Sequence, residues 1–121
     1  MTETTPWPTE IRLKADRKAL QVTFDDGTDV TLSAEYLRVL SPSAEVKGHG
    51  PADRKTMFGK RHVEILKVEP VGNYAIRLTF DDLHDTGIYS WIYLRELGDE
   101  REARWAAYLA EIHEKGLSRD P

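Results

Sequence analysis

Apolar and polar residues alternate twice near the start of the chain. Ile11 and Leu13 flank Arg12, and Leu20, Val22 and Phe24 are separated by Gln21 and Thr23, the two-residue period of half-buried strands. Asp25-Asp26-Gly27 then supplies a turn, with Gly27 free to take a positive φ, and Val30 and Leu32 return on a short strand. The period changes at Ser33, a good N-cap. Tyr36, Leu37 and Leu40 lie three or four apart, which predicts a brief helix over 34–40 that Ser41-Pro42 stops.

From Ser41 to about His62 the periodicity fades, and Gly48, Gly50, Pro51 and Gly59 punctuate the segment. A connection of about 20 residues inside a compact domain is unusual and is commonly functional or disordered. Strand character resumes over 63–68, where Val63/Ile65 and Leu66/Val68 fall on opposite faces. Val71-Gly72-Asn73 reads as a turn, and Tyr74, Ile76, Leu78 and Phe80 then alternate with Ala75, Arg77 and Thr79, the clearest strand of the chain. Residues 81–87 form a polar turn, Ile88 and Tyr89 a short strand, and Ser90 caps a second short helix reaching Leu97. In the last helix Asp99 with Glu102 matches a capping box. Trp105, Tyr108, Leu109 and Ile112 make its apolar face, Glu100/Arg104 and Glu111/Lys115 support it, and Gly116 ends it.

An internal repeat runs through this pattern. Thr23-Phe24-Asp25-Asp26, Ser33 and Tyr36-Leu37-Arg38-Val39-Leu40 are echoed by Thr79-Phe80-Asp81-Asp82, Ser90 and Tyr93-Leu94-Arg95-Glu96-Leu97. The offset is 56 residues at Phe24/Phe80 and 57 at Ser33/Ser90, so the second copy has one extra residue in its turn. Two hairpin-plus-helix units sharing one core predict an α+β two-layer sandwich: a mostly antiparallel sheet with two short helices and one longer C-terminal helix. A mobile tail is expected over 1–9, a single domain over 10–115 and a frayed end over 116–121.

Composition narrows the function classes. The length of 121 residues suits one domain, no apolar run approaches a membrane span, and the N-terminus has no secretory pattern. Zero cysteines exclude disulfides, thiolate zinc sites, self-ligated iron–sulfur clusters and thiol catalysis, and make the cytoplasm the expected compartment. Charge is uneven: residues 1–62 carry a net +1 and residues 63–121 a net −5. Within 47–62, Lys47, Arg54, Lys55, Lys60 and Arg61 face only Asp53. A small basic segment containing His49, on an acidic body, suits an acidic protein partner or small anion better than nucleic acid.

Three constellations could carry chemistry. Asp81, Asp82 and Asp85 surround His84 and could ligate a divalent ion with help from His49, His62 or His113, or could be a solvated turn whose carboxylates hold nearby amides. The run 87–95 holds Tyr89, Trp91 and Tyr93, of which Tyr89 or Trp91 is expected to remain exposed beside His84 as a recognition patch. Arg38, Ser41 and Ser43 stand where a helix runs into a Ser-Pro loop; Arg38 faces either an anionic ligand or a carboxylate of the chain. There is no nucleophile elbow, phosphate loop or dinucleotide fingerprint, so no enzymatic activity is expected.

Tyr36-Leu37-Arg38, Ser41-Pro42-Ser43-Ala44-Glu45-Val46, Gly72-Asn73-Tyr74-Ala75 and 80–97, with Gly87-Ile88-Tyr89-Ser90-Trp91 at its centre, resemble the gamma-butyrobetaine hydroxylase-like N-terminal domain family over roughly residues 8–100. The resemblance implies a small α+β domain of unknown function. Such domains stand alone, precede 2-oxoglutarate-dependent oxygenase domains, or are attached to an Mrp-type iron–sulfur carrier ATPase. The related hydroxylase domain binds structural zinc through three cysteines and a histidine. Those positions would correspond to Ser41, Ser43, Val46 and His84, and hydroxyls and a valine cannot replace thiolates, so the zinc site is expected to be lost. The catalytic barrel is also missing. The leading expectation is a non-catalytic accessory or interaction domain that presents Arg38, His84, Tyr89 and Trp91 on one face. Its protein partner would be an iron–sulfur carrier or an oxygenase. The alternative is an iron- or zinc-binding domain using His84 and its carboxylates.

Overall fold

Leu20, Val22 and Phe24 of one strand, and Ile76, Leu78 and Phe80 of another, are each at most 3% exposed, so the strict alternation of the sequence becomes two inward-facing sheet surfaces. A computed structural model describes residues 6–42, 56–84 and 87–121. Its elements are β1 (Pro8–Leu13), β2 (Ala19–Phe24), β3 (Asp29–Ser33), α1 (Ala34–Val39), β4 (Ile65–Val71), β5 (Ala75–Phe80), β6 (Gly87–Ser90), α2 (Trp91–Asp99) and α3 (Arg101–Glu114). The strands form two three-stranded antiparallel meanders, β1-β2-β3 and β4-β5-β6, rather than one sheet. The α+β class holds, and both sheets contribute to one core with α1 and α2. Among the described residues no helix is long and apolar enough to cross a membrane.

The internal repeat is a repeat of structure. Ser33 and Ser90 both cap their helices, accepting from Tyr36 N at 3.1 Å and Tyr93 N at 3.0 Å. Ala34 N donates to Lys18 O and Trp91 N to Tyr74 O, tying each helix start to its own meander. The halves then exchange contacts reciprocally. Tyr36 Oη donates to Leu97 O at 2.7 Å, and its counterpart Tyr93 donates to Leu40 O at 2.5 Å. Arg38 pairs with Asp82, and its counterpart Arg95 pairs with Asp26. Residue i of one copy meets residue j of the other and the reverse, the contact pattern of a two-fold dimer realised within one chain.

The ambiguous strand over 63–68 resolves as Ile65–Val71, and its register shifts between Ile65 and Lys67. That bulge is why Ile65 and Val68, three residues apart, both face inward. The capping box does not form. Residue 99 still belongs to α2, and Glu100 stands at the start of α3 without a side-chain cap bond. Trp105, Tyr108 and Ile112 pack inward, whereas Leu109 is on the exposed side.

Residues 7–9 and 118–120 make long-range contacts. Pro8 and Thr9 belong to β1, the Trp7 ring meets Trp91 edge-on at 6.4 Å, and Trp7 O accepts from Asp25 N. At the other end Ser118 O and Arg119 O accept from Gly59 N and Arg61 N, while Arg119 grips Glu35 with two hydrogen bonds of 2.7 and 2.8 Å. Long-range partners of this kind leave no local periodicity to detect.

Candidate functional site

The polar corner of the molecule forms where the end of α1 meets the turn after β5. Arg38, in the last turn of α1, is 2% exposed and donates from Nε to Asp82 Oδ2 at 2.7 Å. Lys60 Nζ donates to the same oxygen at 2.7 Å. The other carboxylate oxygen accepts from His84 N at 3.2 Å, closing a tight turn. Burial opposes the Asp82 charge, but the bonds from Lys60, Arg38 and the His84 amide outweigh it and hold the carboxyl at about 2. Arg38 is therefore the partner of a carboxylate within the chain rather than of a free anion.

Behind this pair lies a shut compartment. Ser41 is 1% and His84 4% exposed, with Ser41 Oγ and His84 Nε2 2.8 Å apart. Tyr89 is fully buried and donates from Oη to Leu37 O at 2.5 Å; burial raises its phenol pKa well above the ordinary value. A Cβ on Gly87 would come within 2.8 Å of Ser41 Oγ and 3.0 Å of the Tyr89 ring, so the run 87–90 starts with glycine because these side chains occupy that space.

The recognition patch expected from Tyr89 and Trp91 is not there. Tyr89 faces the core because Ile76, its cross-strand partner, does so too. Trp91 is 8% exposed and spends its indole N–H on Asn73 O at 2.9 Å, away from the corner. Of the basic segment, Lys60 joins the corner and Arg61 pairs instead with Asp120. Ser43, Lys47, His49, Arg54, Lys55 and Asp85 lie outside the described residues.

Asp82 is turned to two cations, Asp81 Oδ1 accepts from Glu64 N, and among the described residues no group of three His, Cys, Asp or Glu side chains is placed to hold an ion. Ser41 and His84, two of the positions that correspond to zinc ligands, do converge. Their 2.8 Å approach is a hydrogen bond between a hydroxyl and an imidazole, and the sequence has no cysteine to add a thiolate.

What remains exposed at the corner is Leu83. It is 83% exposed and sits at φ 70°, the left-handed region that a leucine enters only at a cost. Its equivalent in the first half is Gly27, at φ 88°, in a turn with the same bonds: Gly27 N to Phe24 O and Leu83 N to Phe80 O, each at 3.0 Å. Laying the two copies of the repeat over each other would have singled out Leu83 from sequence, because only the second copy puts a large side chain where the turn wants glycine.

The model of the family described as gamma-butyrobetaine hydroxylase-like, N-terminal, matches residues 11–95. This chain belongs to that family. None of the curated proteins matches it. Two solution NMR structures are similar over nearly the whole chain. One is 44% identical with TM-score 0.84, covering 98% of this chain and 93% of the other. The second is 46% identical with TM-score 0.83, covering 100% and 92%. A crystal structure from Acidithiobacillus ferrooxidans ATCC 23270, of a protein with unknown function in the DUF971 family, is 40% identical with TM-score 0.63 over 75% of this chain and 91% of that one.

Proposed function

We propose that the chain is a non-catalytic protein-interaction domain that docks through the 80–84 turn, with Leu83 as its anchor. The observation that carries this reading is an exposed leucine kept in a strained backbone conformation. The turn beneath it is braced by Arg38, Lys60 and the His84 amide on Asp82, so the side chain is presented rigidly at little entropic cost to binding. Ser41 and His84, the pair with the look of a nucleophile and base, are closed to substrate by burial and serve to hold the turn. The partner classes that the resemblance implies, an Mrp-type iron–sulfur carrier ATPase and a 2-oxoglutarate oxygenase, are the candidates. The cysteine-free composition suits this role in a reducing cytoplasm.

Titration calorimetry of the purified chain against a purified carrier ATPase and an oxygenase domain tests the reading. One of the two should bind, and Leu83→Gly should weaken that binding by about tenfold or more, as loss of an anchor side chain does. Undiminished binding by Leu83→Gly, or no binding to either protein, would remove the proposal.

A further inference from the structure

Away from the residues of that turn, a cleft of about 320 Å³ lies between the first meander and α3. Tyr36, Trp105 and Ala19 supply its apolar wall, and Thr31, Arg101 and Glu102 its polar groups. The volume is at the lower end of the roughly 300–1,000 Å³ usual for small-ligand sites.

The wall is preformed. Tyr36 is fixed by its bond to Leu97 O, and its ring meets Trp105 edge-to-face at 6.3 Å. Trp105 is held in turn by Tyr108 at 5.3 Å and by the Arg119 guanidinium at 5.1 Å. The charges at the mouth contrast with those around them. Arg104, Lys115 and Arg119 all have carboxylate partners. Among the described residues Arg101 donates only to Thr31 O, at 2.8 Å, and neither Arg101 nor Glu102 forms an ion pair. Among the described residues one cation and one anion therefore stand at an aromatic wall without an ion-pair partner.

We infer that this cleft is a binding site for a zwitterionic α-amino acid with an aromatic or large aliphatic side chain. Arg101 receives the carboxylate, Glu102 the ammonium, and Tyr36 and Trp105 the side chain. A purely apolar molecule would leave both charges unanswered, and a dianion would meet Glu102. The size fits a single amino acid.

The test uses the full chain with L-phenylalanine, 3-phenylpropionate, which lacks the ammonium, and phenethylamine, which lacks the carboxylate. Binding is followed by amide NMR shifts. L-Phenylalanine should bind with shifts centred on Thr31, Tyr36 and Trp105, and each single-charge analogue should bind about tenfold more weakly, the loss of one charge-assisted contact. Arg101→Gln should weaken phenylalanine and phenylpropionate but not phenethylamine, and Glu102→Gln should do the converse. Both side chains are exposed, so neither change threatens the fold, and an unchanged melting temperature verifies that. Absence of shifts with all three probes, shifts centred elsewhere, or indifference of binding to both substitutions would overturn the assignment. Leu83→Gly serves as the control that separates this site from the docking turn, since it should leave phenylalanine binding unchanged.

Discussion

Arg38–Asp82 and Arg95–Asp26 are one contact made twice, by equivalent residues in opposite halves of the molecule, yet their surroundings differ. Arg38 and Asp82 have side chains 3% and 20% exposed, with Lys60 as a third member; Arg95 and Asp26 are 24% and 51% exposed, and Arg95 pairs also with Asp99 at the rim. The turn that carries each aspartate differs as well: Asp26-Gly27-Thr28 in the first half, Asp82-Leu83-His84 in the second. Where the first copy has a glycine and a threonine hydroxyl, the second has an exposed leucine and a buried imidazole reaching Ser41. The first copy thus shows what the fold needs at this position, and the second what has been added to it.

The largest effect should come from breaking the buried member. Asp82→Ala leaves Arg38 and Lys60 without their shared carboxylate, and stability in urea should fall by about 3 kcal/mol, as for a buried pair that loses one partner. The same carboxylate gives a signed pH dependence. Its folded pKa of about 2 lies below the ordinary 3.8, so its contribution is full above pH 3.8 and is lost as pH falls through 2. The exposed Asp26, lowered to about 2 chiefly by its bonds from Thr28, titrates in the same window, so Asp82→Asn should flatten the acid arm of the stability curve only in part.

An intermediate effect should come from exchanging the turn residues. Leu83→Gly relieves a left-handed leucine and should raise stability by about 1 kcal/mol, while Gly27→Leu should lower it by a similar amount. A Cβ at Gly27 meets nothing within 4 Å, so the second change tests backbone strain alone. If the two substitutions failed to move thermal stability in opposite directions, the two turns would not be equivalent. The smallest effect belongs to Asp26→Ala, where an exposed, solvent-screened pair is removed and the loss in urea should be far smaller than that of Asp82→Ala. A loss matching that of Asp82→Ala would erase the distinction between the buried and the exposed corner.

Much of this comparison was legible in the residues. The alternation of Leu20, Val22 and Phe24, the caps Ser33 and Ser90, and the repeat of Phe-Asp-Asp with Tyr-Leu-Arg are local patterns, and local patterns survive into structure because each is set by backbone geometry over a few residues. The exposure of Tyr89 and Trp91 could not be read the same way. Strand alternation says that a residue faces one side, not which side is covered, and Tyr89 turned inward with Ile76. The missing capping box has a related cause: Asp99 was taken into the preceding helix by packing that spacing does not report.

By itself the sequence determined the class of the fold, the two-copy design, both helix caps and the absence of thiolate chemistry, since each follows from residue type and short spacing. Only the tertiary structure decided that the copies exchange tyrosines and ion pairs, that Arg38, Lys60 and His84 converge on Asp82, and that Leu83 is left outside while Tyr89 is not. Those outcomes depend on which surfaces meet across long stretches of chain, as with the separations of 44 between Arg38 and Asp82 and 61 between Tyr36 and Leu97. Such contacts are selected by the burial of the whole core and leave no period in the sequence.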